Sequence, residues 1–283
     1  MKIAIKTTVF TGLSALLVAG QLHAQQTVTE LLDTAPPTGG DWYVSLLAGG
    51  GTASIVDVDG EIGNLGTAQP LPGGVVQLTT GFDNADRAEI AFDGDFGAAS
   101  SLLTSMTLGY DYYKQNVVGG NAAAAPTIKI TLQTSGGTGD NFGQLIFEPN
   151  WNQPGGGSQN PPTDAWQSVL IDANTGGGDD PSTGGWWWTG GFEIGSSGGG
   201  TPIKSLSEWA ADFEAADPVD FSNARVTSVS IGVGTFNQGQ IGYFDNVSIQ
   251  NTLLDATYDF QIPEPTSLAL LTIGGLTMLR RRR

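Results

Sequence analysis

Thr127-Ile128-Lys129-Ile130-Thr131-Leu132 is a run in which every second side chain is apolar. A period of two puts Ile128, Ile130 and Leu132 on one face of an extended chain. Thr127, Lys129 and Thr131 then lie on the other, the pattern of a strand with one face in a core and one in water. Working outward, short apolar runs bounded by Gly, Asp and Pro recur at Trp42 to Leu47, Val75 to Thr79 and Arg87 to Phe92. From Leu103 to Tyr112 the alternation sharpens late, with Met106, Leu108, Tyr110 and Tyr112 on one face. Gln144 to Glu148, Trp166 to Ile171, Val226 to Val233 and Gln240 to Gln250 read the same way. The Pro/Gly/Asn stretch Pro149 to Pro162 between two of these runs reads as a loop.

One segment changes period. Leu206, Trp209, Ala210 and Phe213 recur at three-to-four spacing behind Ser205 and Glu208, a capping-box pair, and Asp217-Pro218 stops the turn. This predicts a single surface helix whose apolar stripe crosses a sheet edge or closes one end of the core. About ten strands with glycine-rich turns and one helix predict an all-β domain, a two-sheet antiparallel β-sandwich of the jelly-roll kind.

Composition narrows the chemistry. The chain has 283 residues, no cysteine and one histidine, His23. Lys2 and Lys6, the apolar stretch Thr7 to Gly20 and Leu22-His23-Ala24 have the layout of a Sec-type signal peptide, so His23 would leave with the leader. Without His or Cys, Ser-His-Asp and Cys-His nucleophile systems, zinc sites built on those ligands and haem held by His are excluded from the mature chain. Removing Lys2, Lys6 and Arg280 to Arg283 from the 11 basic residues, and Glu264 from the 28 acidic ones, leaves a body of net charge about −22. Such a body repels nucleic acid and anionic lipid and favours divalent cations.

At the other end, Pro263-Glu264-Pro265 is followed by the apolar run Thr266 to Leu279 and then by Arg280, Arg281, Arg282 and Arg283. Fourteen helical residues reach roughly 21 Å, against about 30 Å for a bilayer core, which is short for a permanent transmembrane helix. The four arginines would hold their end in the cytoplasm. This arrangement resembles the PEP-CTERM sorting signal of exopolysaccharide-producing Gram-negative bacteria. The resemblance implies recognition and cutting near the motif by an exosortase, a membrane transpeptidase of the cysteine type. It also implies export to the cell surface, with the membrane as a partner before processing. The chain therefore divides into a signal peptide at 1–24, an irregular lead-in at 25–40, a β-sandwich domain at 41–262 and a sorting signal at 263–283.

Gly242-Tyr243-Phe244-Asp245-Asn246-Val247-Ser248-Ile249 is similar to the last strand of many carbohydrate-binding β-sandwich modules. If this strand is regular, Ile241, Tyr243, Asp245, Val247 and Ile249 share a face, and a carboxylate sits among apolar side chains. A buried charge needs a partner. A structural Ca²⁺, which the equivalent aspartate of the similar modules often holds, is one solution, and a bulge that turns Asp245 to solvent or a hydrogen-bonded turn is the other. Asp57 and Asp59, Asp83 and Asp86, and Asp93-Gly94-Asp95 are further oxygen-rich turns, none with EF-hand spacing. Trp186-Trp187-Trp188, with Trp151 and Trp166 nearby, is the candidate glycan contact, because indole rings stack on sugar faces; strand alternation sends at least one of the three into the core. Polysaccharide is thus the expected external partner. A carbohydrate-active enzyme is the alternative, with Glu148, Glu193 and Glu208 as its nearest acids to aromatic side chains.

Overall fold

The computed structural model describes residues 24–134, 142–234 and 237–263, so the expected signal peptide, up to residue 23, and the sorting tail from Glu264 onward lie outside the described residues. Among the described residues the strands are β1 (Ala24–Val28), β2 (Trp42–Ala48), β3 (Thr52–Val56), β4 (Val75–Thr79), β5 (Arg87–Ala98), β6 (Thr107–Lys114) and β7 (Thr127–Thr134). They continue with β8 (Phe142–Phe147), β9 (Trp166–Ile171), β10 (Trp187–Gly190), β11 (Ala224–Gly234), β12 (Ile241–Gln250) and β13 (Asp255–Phe260). The helices are α1 (Asn64–Thr67), α2 (Ala99–Leu102), α3 (Leu206–Ala216) and α4 (Pro218–Asn223). The expected helix is α3, and three short ones accompany it.

Two sheets face each other as a β-sandwich. One is a six-stranded sheet in the order β10-β8-β7-β11-β5-β2, antiparallel throughout. The other is branched. β9, β6 and β12 lie side by side, and the far edge of β12 is divided between β4, which pairs with Ile241 to Phe244, and β13, which pairs with Val247 to Gln250. β3 extends the first branch and β1 the second. β1 corrects the reading of 25–40 as irregular: the lead-in opens with a strand, which pairs in parallel with β13 along Ala24↔Ala256 to Val28↔Phe260.

The alternation in β7 holds as read: Ile128, Ile130 and Leu132 are fully buried between the sheets, as are Met106, Leu108, Tyr110 and Tyr112 from the segment ending in β6. The Ser205–Glu208 capping box is formed, with Ser205 Oγ accepting from Glu208 N at 3.2 Å and Glu208 Oε2 accepting from Ser205 N at 2.9 Å. Leu206, Trp209, Ala210 and Phe213 are buried, and the stripe packs on edge strand β10 as the periodicity predicted. Trp209 Nε1 donates to the Trp186 carbonyl at 2.8 Å, and the Trp188 and Phe213 rings meet edge to face at 4.6 Å.

The Trp188 indole also lies against Gly143 of β8. A Cβ at Gly143 would fall 2.0 Å from the ring, so glycine is required on the strand that Trp188 covers. Removing a fully buried indole leaves a cavity that its neighbours fill only in part. Trp188→Ala is therefore expected to lower unfolding stability by about 3–5 kcal/mol in urea titrations, and Trp187→Ala, on the other face of β10, by less than half of that.

Candidate functional site

Because β7 commits its isoleucines inward, Thr127, Lys129 and Thr131 face outward, and the same phase holds across the six-stranded sheet. The register aligns Tyr43, Ala91, Ser230, Lys129, Ile146 and Trp187 in one row, one residue per strand from β2 to β10. Six strands at about 4.8 Å spacing make this row roughly 24 Å long, with an aromatic side chain at each end. A parallel row carries Asp93, Ser228, Thr131, Gln144 and Thr189. Between the rows a shallow groove of about 310 Å³ is lined by Tyr43, Glu89, Asp93, Thr131, Gln144 and Ser230 among others.

The groove's polar groups are held in place. Tyr43 Oη donates to Asp93 Oδ2 at 2.8 Å, and burial and the Asp93 carboxylate together push the phenol well above its ordinary pKa. Lys129 is ion-paired with Glu89. Gln144 Nε2 donates to Thr131 Oγ1 at 3.3 Å. Ser230, near the middle of the row, is 2% exposed, and its Oγ has no hydrogen-bond partner among the described residues.

The tryptophan triplet divides as strand geometry requires. Trp186 and Trp188 are fully buried, one against Phe147 and Trp209 and the other against Phe192 and Phe213, which corrects their reading as ligand contacts. Trp187 and Trp151 are half-buried beside Glu148. Both indoles act on Glu148, whose carboxyl is raised by burial and lowered in part by Trp187, Lys129 and Trp151. Of the other two enzyme candidates, Glu193 sits in an exposed left-handed turn (φ 56°), and Glu208 is engaged by Ser205 and by Gly178 N at 2.8 Å.

Asp245 marks the point where β12 changes partner from β4 to β13. A β-bulge lies there, with Asn246 at φ 54°, and it reverses the phase of the strand. Ile241 and Tyr243 face the outer side of the branched sheet while Val247 and Ile249 enter the main core, so the five residues do not share one face as a regular strand would require. The bulge does not turn Asp245 to solvent either. Asp245 is 0% exposed, and its Oδ1 accepts from Phe260 N at 3.0 Å. Burial pushes its carboxyl up to about 7, with Asp259 and Asp111 adding to the rise and the Phe260 and Asn246 N–H groups opposing it. Asp111 Oδ2 accepts from Asn246 Nδ2 at 2.7 Å, and Asp259 Oδ2 from Gln25 and Gln261 at 2.9 and 2.7 Å.

Asp245 Oδ2 and Asp259 Oδ1 are buried without partners. These two oxygens suit a hard cation, but among the described residues no three or more acidic, His or Cys side chains converge as metal ligands. The turn carboxylates make local hydrogen bonds. Asp57 Oδ1 accepts from Asp59 N, and Asp59 Oδ1 from Gln69 Nε2. Asp83 Oδ1 accepts from Ala85 N, while buried Asp86 uses both oxygens on the Gly50 and Asp83 N–H groups.

Against known proteins, the C-terminal residues 261–283 match the PEP-CTERM protein-sorting motif. The chain thus carries a C-terminal sorting signal, which implies export. No curated protein matches the chain in sequence. Among solved structures the chain is similar to the family 11 carbohydrate-binding module of a cellulosomal cellulase of Clostridium thermocellum, with 12% identity over 78% of this chain and 93% of that one and a TM-score of 0.35. The family 11 module from Clostridium thermocellum in complex with a β-1,3-1,4-mixed-linked tetrasaccharide gives 13%, 83%, 99% and 0.35. A family 61 module in complex with β-1,4-galactotriose gives 11%, 76%, 90% and 0.32.

The Asp245 environment sets a pH dependence. With its folded pKa raised from 3.8 to about 7, the native state holds a proton that the unfolded chain has lost between about pH 4 and 7, so stability falls as pH rises through that window and levels off above it. Asp245→Asn keeps an oxygen for Phe260 N and carries no charge. The melting temperature of wild type, measured in EGTA, is expected to drop more steeply from pH 5 to pH 8 than that of Asp245→Asn, and the variant is expected to be the more stable at pH 8.

Proposed function

We propose that the mature protein is an exported surface or matrix protein whose body binds a neutral polysaccharide along the outer face of the six-stranded sheet. The observation that carries this is the row from Tyr43 to Trp187, with aromatic side chains at both ends and between them Lys129 and a buried Ser230 hydroxyl that has no partner among the described residues, beside a parallel row that supplies the Thr131 hydroxyl, the Gln144 amide and the Asp93 carboxylate. Rings at the ends stack on the apolar faces of sugar residues, and the polar groups between them take sugar hydroxyls. An open surface of this length suits a chain polymer better than a single sugar.

On this reading the leader is cut before Gln25, the tail is processed by an exosortase near Pro263 to Pro265, and the body is left structural or adhesive at the surface. The first cut fits the fold, since it leaves all but the first residue of β1 in place.

In affinity electrophoresis against a panel of neutral polysaccharides, Tyr43→Ala and Trp187→Ala are each expected to weaken binding by about tenfold or more while leaving the fold intact. A wild type that binds no glycan of the panel would overturn the reading, and release of reducing ends from a bound glycan would move it to the enzyme alternative. Intact mass of the protein from the cell surface is expected to lack both the leader and Arg283; a mass that retains Arg283 contradicts tail processing.

A further inference from the structure

The opposite face of the sandwich carries a second, larger cleft. After β3 the chain runs through α1 to β4 and folds back over the outer side of the branched sheet, where Val58 and Leu65 pack on Val75, Tyr113 and Tyr243. Two hydrogen bonds pin this loop to the far side of the sheet: Trp166 Nε1 donates to the Leu65 carbonyl at 3.1 Å, and Asn64 Nδ2 to the Asp164 carbonyl at 2.9 Å. Gly66 is fixed by the close approach, since a Cβ there would lie 2.4 Å from the Val58 carbonyl oxygen. Between loop and sheet a cleft of about 680 Å³ is therefore part of the folded state.

Its chemistry is one-sided. The floor is the Tyr243 hydroxyl, which accepts from Gln77 Nε2 at 2.9 Å and donates to Gln115 Oε1 at 3.2 Å. Tyr113 lies edge-on to Tyr243 at 5.8 Å, with Trp166 beyond it at 5.6 Å. Asp57, Glu61 and Asp164 stand around the cleft, and among the described residues no lysine or arginine lines it. Asp57 and Asp164 each already accept a backbone N–H, whereas the Glu61 carboxylate has no hydrogen-bond or ion-pair partner among the described residues. Glu61 is close enough to the Tyr243 hydroxyl to help raise its pKa, behind the larger effect of burial.

A ligand here meets acceptors, aromatic rings and negative charge, and no cation to pair with an acid. Hydroxyl groups satisfy the amide and phenol floor, and an ammonium satisfies the rim through charge-assisted hydrogen bonds and the ring quadrupoles. The strongly acidic body adds long-range attraction for the same charge. We infer that this cleft, on the face opposite the polysaccharide row, binds a sugar residue bearing a free amine, a 2-amino-2-deoxyhexose at a chain end, with Glu61 as its counter-charge and Tyr243, Gln77 and Gln115 as its hydroxyl partners.

The test uses the glucosamine trimer and its fully N-acetylated counterpart as probes, titrated calorimetrically into the purified protein at pH 6 and low salt. The amine form is expected to bind at least about tenfold tighter, with affinity falling as salt is added. Glu61→Gln, at an exposed loop position, and Tyr243→Phe are each expected to weaken it about tenfold or more. Glu214→Gln, an exposed acid on α3, and Tyr43→Ala on the other face are expected to leave it unchanged. Equal binding of the two trimers, no binding of either, or equal losses in Glu61→Gln and Glu214→Gln would overturn the inference, the last by reducing it to nonspecific attraction. Loss of the polysaccharide row with the amine-sugar affinity intact would sink only the reading of the other face.

Discussion

The hydrogen bond from Phe260 N to Asp245 Oδ1 ties the end of β13 to β12 at the point where β12 changes partner. β12 gives one edge to β6 and divides the other between β4 and β13, and between those partners there is a position where no backbone acceptor is in register. The bulge at Asp245 and Asn246 supplies a side-chain carboxylate at that position. The protein meets a backbone need with a group that is costly to ionise in a buried place, and the raised pKa of Asp245 is that cost expressed in protons. A neighbouring pair of carboxylates, Asp111 and Asp259, is made tolerable by amide donors from Asn246, Gln25 and Gln261.

The branch has consequences at both termini of the body. Gln261 N donates to the Val28 carbonyl and Ile262 N to the Gly73 carbonyl, so the chain stays tied to β1 and to the start of β4 through Ile262. Pro263 has no N–H to offer to this pairing. The sorting motif match begins at residue 261, so the last two bonded residues of the sheet are also the first two of the signal.

Much of this was legible because a strand with one wet face writes its orientation into every second residue. β4 and β9 fall on the residues their patterns name, and α3 is capped and stopped where Ser205, Glu208 and Pro218 require. The weaker strands were lost for different reasons. β3 is a short edge, β10 is four residues running into Gly190, and β1 is exposed along most of its length, so none has a long enough alternation to stand out. β13 did carry a readable one, Ala256, Tyr258 and Phe260 inward, hidden only by following closely on β12. The phase reversal at Asn246 is not a property of residue types, since it depends on a single backbone angle. The row from Tyr43 to Trp187 is likewise invisible in one dimension, because its members are more than 140 positions apart at the extremes and are aligned only by strand order.

Charge then decides what can approach either face. The body has five cationic side chains, of which Arg87 is exposed at the start of β5 and the other four are paired or buried. Lys129 is paired with Glu89, Lys204 with Asp212 at 2.6 Å, and Arg225 with Asp95 in a two-point contact. Lys114 is 3% exposed and directed at the Ala122 carbonyl, and burial lowers it to about 8. Only Lys129 stands in the polar row, and Glu89 neutralises it in place. A uronate-rich or sulfated polymer would therefore meet a net negative body with little counter-charge and be repelled by it. This distribution favours neutral chains along the proposed row and a cationic sugar in the proposed cleft.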